Sequence, residues 1–192
     1  MTPEEKAYKI ALRRIRKAEK TGAVALNLSG LKEGKIGALE YSGLETLTRL
    51  PPELKRLTSL QWLNLSFCNQ LGGDLAPLAS LTSLQLLTLA RCEQLSGDLA
   101  PLADLTSLQT LHLPRCIHLN GNLAPLARLT SLQRLDLSFC FRLSGDLAPL
   151  AGLTSLQWLI LAHCRNLSGD LAPLADLTSL QTLFLYSMRT AQ

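Results

Sequence analysis

Residues 57–80 read LTSLQWLNLSFCNQLGGDLAPLAS, and four further copies of the same 24-residue pattern follow without a gap. The opening leucine, Leu57, recurs at positions 81, 105, 129, 153 and 177, each time followed by Thr-Ser-Leu-Gln. Five complete repeats therefore occupy residues 57–176, and a partial terminal repeat occupies residues 177–192. A fixed period of this length predicts a solenoid, in which each coil buries its apolar side against its neighbours.

The repeat also resembles a known family. Each copy reads L-T-S-L-Q-x-L-x-L-x-x-C-x-x-L-x-G-[DN]-L-A-P-L-A-x. This pattern resembles the leucine-rich-repeat family in its cysteine-consensus form, and the Leu-Ala-Pro-Leu-Ala segment is typical of bacterial members. The resemblance covers residues 57–192 and implies an α/β solenoid. In that fold a parallel β-sheet lines the concave face of an arc, and short turns or 3-10 helices form the convex face.

Upstream of Leu57 the same pattern continues in a weaker form. A shift of 24 residues aligns Leu39 with Leu63 and Leu54 with Leu78, so residues 36–56 are predicted to be a divergent first repeat. The segment Leu50-Pro51-Pro52-Glu53-Leu54 resembles the repeat regions of bacterial multidomain GTPase and signalling proteins.

Residues 1–35 are predicted to cap the solenoid with a helix and a short strand. Thr2 followed by Pro3 and Glu5 is typical of a helix start, and Gly22 of a helix end. Tyr8, Ala11, Leu12, Ile15 and Ala18 recur at helical spacing, and Val24, Leu26 and Leu28 alternate as in a strand. An amphipathic helix can cover the otherwise exposed end of a repeat core.

Charge is distributed unevenly along the chain. Residues 1–56 hold twelve Lys and Arg against seven Glu, whereas residues 57–192 hold seven Arg against eight acids. The repeats thus carry a net charge of −1, which argues against a generally basic nucleic-acid binder. No apolar stretch approaches the roughly 20 residues of a membrane span, and the N-terminus has no apolar signal core. The expected location is cytoplasmic, with delivery as an effector left open.

The five cysteines share one position of the repeat. They are Cys68, Cys92, Cys116, Cys140 and Cys164. Stacking brings neighbouring cysteines near disulfide distance, but their side chains run parallel instead of converging. No C-x-x-C spacing or interleaved His indicates a metal or redox site. The family resemblance implies a structural role, in which each buried thiol bonds the loop backbone, and five unpaired thiols indicate a reducing compartment.

The positions that vary between repeats are predicted to face outward from each strand and from the loop after it. Four such columns are expected, and the third contains Ser66, Ala90, Pro114, Ser138, Ala162 and Tyr186. Every Trp, Phe and His of the chain lies in these columns or in the loop beyond them. Because leucine fills the core, exposed aromatic and Arg side chains have the composition of an interface hot spot.

Fourteen residues follow as the predicted partner-binding set of the concave face. They are Trp62, Asn64, Phe67, Arg91, His112, Arg115, Arg134, Asp136, Phe139, Trp158, Ile160, His163, Phe184 and Tyr186. The alternative interpretation is that the aromatic side chains only cover the sheet by cross-strand pairing. Arg91, Arg115, Arg134, Arg142 and Arg165 face only Glu93 and Asp136. The partner is expected to be a protein or peptide, with acidic side chains or phosphates that match these arginines. The alternative, equally open, is that the arginines are solvated rim charges that contribute little.

The sequence favours a protein-interaction module without catalytic activity, cofactor or metal. His112 and Asp136 in adjacent repeats could meet about 5 Å apart, but Ser138 lies roughly 6.6 Å along the strand from Asp136. This leaves His112 without a nucleophile to activate. Two alternatives stay open: a ligand-sensing part of a larger bacterial signalling or effector protein, and nucleic-acid binding by Arg and aromatic side chains. The last repeat is unfinished, which leaves one end of the core open. Either the chain is a fragment of a longer protein, or the short tail bends over the end, or a second copy pairs with it, and the exposed strand edge predicts a tendency to form a homodimer.

Overall fold

Each LTSLQ segment leads into a three-residue strand, because outward residues and buried leucines alternate after it. The computed structural model describes residues 1–31 and 42–187. It contains helix α1 (Pro3–Thr21) and the strands β1 (Ala25–Asn27), β2 (Trp62–Asn64), β3 (Leu86–Thr88), β4 (Thr110–His112), β5 (Asn120–Gly121), β6 (Arg134–Asp136), β7 (Arg142–Gly145), β8 (Trp158–Ile160), β9 (Asn166–Leu167) and β10 (Thr182–Phe184).

The main sheet of the described residues has seven parallel strands in the order β1-β2-β3-β4-β6-β8-β10. From β2 onward, partners in adjacent strands are separated by one repeat, so Leu63 lies beside Leu87 and Leu87 beside Leu111. The leucines of this position are fully buried from β2 to β8. The predicted α/β solenoid with a parallel sheet is therefore confirmed, with its core between the sheet and the opposite side of each coil.

Short 3-10 helices form that opposite, convex side. They span Pro52–Arg56, Ala76–Leu78, Ala100–Leu102, Ala124–Arg128, Ala148–Leu150 and Ala172–Leu174. Before each of the last five, a glycine adopts a positive φ, as Gly73 does at 80°, and a side chain such as Asp74 accepts a hydrogen bond from the backbone of Ala76. These are the turn and cap roles that the Gly-Asp pair predicts.

A second, smaller sheet was not expected from the sequence. Strands β5, β7 and β9 pair in parallel along the segment that leads from each cysteine to the convex side. Their residues are mostly exposed, and only Leu143 and Leu167 point into the core. The sequence of these strands, such as Asn120-Gly121, has no strand-forming preference, so stacking of equivalent loops creates this sheet.

The helical cap is also present. Thr2 and Glu5 form a reciprocal capping box, and Gly22 ends α1 with a φ of 64°. The buried face differs in detail from the prediction, because Ala7 is fully buried whereas Tyr8 and Leu12 are only partly buried. No described helix combines the length and the apolarity that crossing a membrane requires.

The first coil is longer than the 24-residue period predicts. Strand β1 pairs with β2 so that Leu26 lies beside Leu63, which follows it by 37 residues. The predicted neighbour, Leu39, lies outside the described residues. Around β1 the predicted alternation of buried side chains holds for Leu26 and Leu28, which are buried, but not for Val24, which is exposed. The strand assigned to the cap therefore pairs with the repeat strands and supplies the first strand of the main sheet.

The other end of the main sheet is open among the described residues. Strand β10 pairs with β8 on one side, and its other edge has no partner in residues 1–31 and 42–187. Leu183 occupies the position of the buried core leucines but is 41% exposed, and Phe184 and Tyr186 beside it are exposed as well.

All five cysteines lie in the core and carry free thiols. Each thiol donates a hydrogen bond to a carbonyl of the preceding coil, as Cys92 does to Leu65 at 3.1 Å. Burial raises the pKa of Cys68 and of Cys164 to about 12. The thiols thus connect one coil to the next, and they are held in the protonated, unreactive form.

We expect these thiols to be inert towards the thiol reagent DTNB while the protein is folded. At pH 8 a thiol with a pKa near 12 is ionised in roughly one molecule in ten thousand, and the reagent cannot reach it. Native protein should release almost no product in the time in which guanidinium-denatured protein releases five equivalents. Raising the pH from 8 to 9 should not make all five accessible, because their ionisation lies above this range.

The matched control for this experiment is Asp176→Cys, which adds a thiol at an exposed position. This variant should release one equivalent at once in the native state. A wild-type protein that releases several equivalents under the same conditions would contradict the buried arrangement of the cysteines.

Candidate functional site

Two columns of outward side chains run across the concave face of the main sheet, and we refer to them as the concave columns. The first contains Trp62, Leu86, Thr110, Arg134, Trp158 and Thr182. The second contains Asn64, Thr88, His112, Asp136, Ile160 and Phe184. The parallel register places each side chain beside its equivalent in the next coil, about 4.8 Å away. The structure therefore brings together the predicted residues of the first two columns.

The two tryptophans are the most exposed large side chains of the first column. Trp62 is 55% exposed and Trp158 is 42% exposed. The guanidinium carbon of Arg134 lies 5.1 Å from the centre of the Trp158 ring, within the range of a cation–π contact. Cross-strand pairing thus covers part of the Trp158 ring, as the alternative interpretation expects. Large parts of both indoles are nevertheless exposed to solvent.

The third predicted column lies only partly at the surface. Ser66, Ser138 and Ala162 are buried, whereas Ala90 and Pro114 are half-buried and Tyr186 is exposed. The prediction that this column faces outward is therefore wrong for three of its six members.

The fourth column lies beyond the strands, and we call its first five residues the stacked edge. These are Phe67, Arg91, Arg115, Phe139 and His163. All have a left-handed backbone with φ between 60° and 63°, and Ser187 continues the series at 62°. Such a conformation costs of order 1 kcal/mol for a residue with a side chain. The cost is offset by the backbone N–H of each residue, which donates to a carbonyl of the next coil at 2.7–2.9 Å.

Flat side chains stack along this edge. The guanidinium of Arg91 lies 5.6 Å from the Phe67 ring, and that of Arg115 lies 4.8 Å from the Phe139 ring. Phe139 and His163 stack at 4.5 Å with an interplanar angle of 28°. The stacked edge is thus a nearly continuous strip of planar groups beside the concave columns.

A chain of polar side chains crosses four neighbouring coils near the ends of the strands. Ser66 Oγ lies 2.9 Å from Thr88 Oγ1, which lies 3.3 Å from His112 Nδ1. On the other side of the ring, His112 Nε2 lies 3.1 Å from Asp136 Oδ2. Ser138 donates to Asp136 Oδ1 from its backbone N–H at 2.9 Å and from its hydroxyl at 2.6 Å.

The contact between Ser138 and Asp136 corrects the expected separation of about 6.6 Å along an extended strand. The chain leaves the strand after Asp136 and folds Ser138 back onto the carboxylate. Burial of the Asp136 carboxyl favours its neutral form, but hydrogen bonds from His112 and Ser138 outweigh burial and lower its pKa. The hydroxyl of Ser138 donates a hydrogen bond to this carboxylate and not to His112. Ser138 is therefore not placed as a nucleophile that His112 could activate.

Thr88 was absent from the predicted set, although it holds His112 on the side opposite Asp136. Its position in the second column is the signal that could have identified it. Among the described residues, no three His, Cys, Asp or Glu side chains are placed to share a metal ion. The polar chain therefore fixes the orientation of the His112 ring and engages both oxygens of the Asp136 carboxylate.

Five arginines lie in the concave columns or in the segments that follow them. They are Arg91, Arg115, Arg134, Arg142 and Arg165. None of them forms an ion pair with a described carboxylate, and the described pairs of Arg128 with Asp104 and of Arg56 with Glu19 lie elsewhere. Four of the five lie over aromatic rings. Their guanidinium groups are thus held in place while their hydrogen-bond donors stay available to a ligand.

Comparison with known proteins gives a consistent answer at the level of the fold. No protein-family model matches the chain, and no curated protein matches it in sequence. The structure is similar to that of internalin C2 from Listeria monocytogenes, with 25% identity and a TM-score of 0.51. This similarity covers 90% of the chain and 91% of internalin C2.

Two plant receptors are similar as well. The Arabidopsis receptor kinase HAESA, solved with the peptide hormone IDA and the co-receptor SERK1, is 27% identical with a TM-score of 0.61 over 75% of this chain. The leucine-rich-repeat ectodomain of GASSHO1/SCHENGEN3 from Arabidopsis thaliana, solved with CASPARIAN STRIP INTEGRITY FACTOR 2, is 25% identical with a TM-score of 0.54 over 87% of this chain. The chain spans about a quarter of each receptor structure, 24% and 27% respectively.

Proposed function

This chain is a leucine-rich-repeat protein, and we propose that it binds a protein or peptide partner through the concave columns and the stacked edge. The observation that carries the proposal is the exposure of Trp62 and Trp158 on a sheet whose core is filled by leucine. Exposed indoles beside Arg have the composition of an interface hot spot.

The position of the stacked edge supports the same surface. Its residues keep bulky side chains in a backbone conformation that glycine or asparagine would adopt at lower cost. Strain of this kind persists where the side chain itself has a use. A strip of rings and guanidinium groups fixed in advance would lose little conformational freedom when a partner binds.

The charge of this surface favours an acidic partner. Arg91, Arg115 and Arg134 have no carboxylate partner among the described residues, whereas the carboxylate of Asp136 is already occupied by His112 and Ser138. A partner with Asp or Glu side chains would satisfy these donors and would be steered towards the face at low salt. The neighbour HAESA was solved with a peptide hormone, which supports a peptide or protein as the kind of partner.

The test compares wild type with a Trp62→Ala, Arg134→Ala, Trp158→Ala triple variant in capture from lysate, followed by binding of the purified partner. We expect the triple variant to lose at least about 30-fold in affinity, since two aromatic anchors and a charged donor are removed. Circular dichroism and thermal melting should show that both proteins are folded.

The matched control removes an exposed ion pair from the convex side by Asp104→Ala and Arg128→Ala. This pair is solvated at its 2.7 Å contact, so its loss should change stability little. The convex variant should capture the partner as wild type does. Loss of capture by the convex variant and its retention by the triple variant would place the binding site elsewhere.

Three further sequence-based expectations take their place beside this proposal. The same face would serve a free-standing chain or the ligand-sensing part of a larger bacterial signalling or effector protein. Single-stranded nucleic acid could stack on the aromatic rings, but the net charge of −1 on the repeats disfavours it. A homodimer through the exposed edge at Leu183 and Phe184 stays a prediction, for which sedimentation at high concentration is the measurement.

A further inference from the structure

A shallow depression occupies the centre of the concave face. It has a volume of about 360 Å³, and we call it the central socket. Its principal residues are Leu86, Thr110, His112, Arg134, Trp158 and Ile160. The depression exists because Thr110, whose side chain is smaller than those of Leu86 and Arg134, lies in register between them in the first column. Its volume lies at the lower end of the range of ligand pockets.

The wall of the central socket is mainly carbon. Leu86 forms one side and Trp158 with Ile160 forms the other, and all three are at least partly accessible to solvent. The guanidinium carbon of Arg134 lies 5.1 Å from the centre of the Trp158 ring, which holds the charged end of Arg134 beside the apolar wall. A cavity of this composition accommodates one apolar side chain.

The polar groups at the rim differ in whether their hydrogen-bond donors and acceptors already have partners. Arg134 has five N–H donors and no described carboxylate partner. Both oxygens of Asp136 are already engaged, Oδ2 by His112 and Oδ1 by Ser138. The His112 ring is likewise held between Thr88 and Asp136. Among the described residues, the rim therefore has no free carboxylate to pair with Arg134, and a ligand with a carboxylate would supply one.

We propose that the central socket binds an extended acidic segment of the partner by taking one apolar side chain against Leu86, Trp158 and Ile160 while a neighbouring Asp or Glu of the segment pairs with Arg134. This inference rests on the proposed function and adds the chemistry of the recognised segment. Apolar burial holds the side chain, and the charge-assisted pair with Arg134 selects an acidic neighbour.

Three blocked dipeptides test the two halves of this recognition separately. The probes are acetyl-Leu-Glu-amide, its uncharged equivalent acetyl-Leu-Gln-amide, and acetyl-Ala-Glu-amide, which lacks the large apolar side chain. Titration is followed by NMR through the indole N–H signals of Trp158 and Trp62. We expect acetyl-Leu-Glu-amide to bind at least 5-fold more tightly than either of the others and to shift the Trp158 signal more than that of Trp62.

Variants of the protein complete the test. Arg134→Met keeps the apolar stem and removes the charge, so it should weaken acetyl-Leu-Glu-amide at least 5-fold and leave acetyl-Leu-Gln-amide unchanged. Thr110→Leu fills the central socket and should weaken both peptides at least 10-fold. The matched control is Thr130→Leu, the same substitution at an exposed position outside the concave columns and the socket, which should bind as wild type does.

Equal binding of all three dipeptides, or binding that Thr110→Leu leaves unchanged, would overturn the inference. Partner capture separates it from the proposed function. If the Trp62, Arg134, Trp158 triple variant loses the partner while Thr110→Leu retains it, the concave face binds but the socket inference is wrong. If the dipeptides follow the expected order while the triple variant still captures the partner, the socket chemistry stands and the proposed function fails.

Discussion

Replacing Gly30 by alanine is expected to lower the free energy of unfolding by about 3 kcal/mol or more. A Cβ on Gly30 would lie 2.1 Å from the backbone oxygen of Phe67 and 2.8 Å from its carbonyl carbon. Both are backbone atoms, so no side-chain rotation relieves the overlap. The backbone of Gly30 is also fixed on both sides, because its N–H donates to Ser66 at 2.9 Å and its carbonyl accepts from Ser42 at 2.8 Å.

The measurement is urea unfolding of Gly30→Ala beside Gly152→Ala. A Cβ on Gly152 meets no atom within 4 Å. Neither glycine has a positive φ, so the two substitutions differ in the space around the added Cβ and not in left-handed backbone strain. We expect Gly152→Ala to change stability by less than about 0.5 kcal/mol. Similar unfolding midpoints for the two variants would contradict the close approach of Gly30 to Phe67.

The effect of Gly30→Ala should reach the proposed binding surface. Phe67 is the first residue of the stacked edge, and its left-handed turn is the segment that packs on Gly30. Displacing this turn moves the Phe67 ring away from Arg91, whose guanidinium lies 5.6 Å from it. The cap therefore contacts the stacked edge where the backbone of Gly30 packs against the backbone of Phe67.

Much of the fold follows from the repeat alone. The period fixes the register of β2, β3, β4, β6, β8 and β10, and the Gly-Asp pair explains the turns before the 3-10 helices, because each of these positions has one local physical role. The first coil could not be predicted in the same way. Its strand pairs Leu26 with Leu63 at a separation of 37 residues, and packing under the cap, not periodicity, sets that register. The need for Gly30 is likewise a matter of tertiary contact.

The candidate site was predictable where it lies on the strands. Trp62, Arg134 and Trp158 face outward because side chains alternate in a strand. The alternation ends with the strand, so it failed for Ser66, which is buried, and for Ser138, which folds back onto Asp136. The left-handed backbone of the stacked edge was also beyond prediction, since Phe and Arg have no preference for positive φ.

Leu111→Ala is expected to cost roughly 3–5 kcal/mol of unfolding free energy, the range of leucine truncations in tightly packed cores. Leu111 is fully buried in β4, with Leu87 and Leu135 beside it in the neighbouring strands. In a solenoid each coil contacts only its neighbours, so a cavity in the middle weakens two interfaces at once. The melting temperature should fall by about 10 °C.

The matched control is Leu183→Ala, which removes the same side chain from the same column in β10, where it also follows a threonine. Leu183 is 41% exposed and contacts one neighbouring coil, so we expect a loss below about 1 kcal/mol, seen by hydrogen exchange as faster opening of the last coil only. A loss at Leu183 as large as that at Leu111 would show that the exposed edge is covered in solution, as the predicted homodimer requires. Concentration-dependent melting of wild type would then separate a second copy of the chain from residues of the same chain.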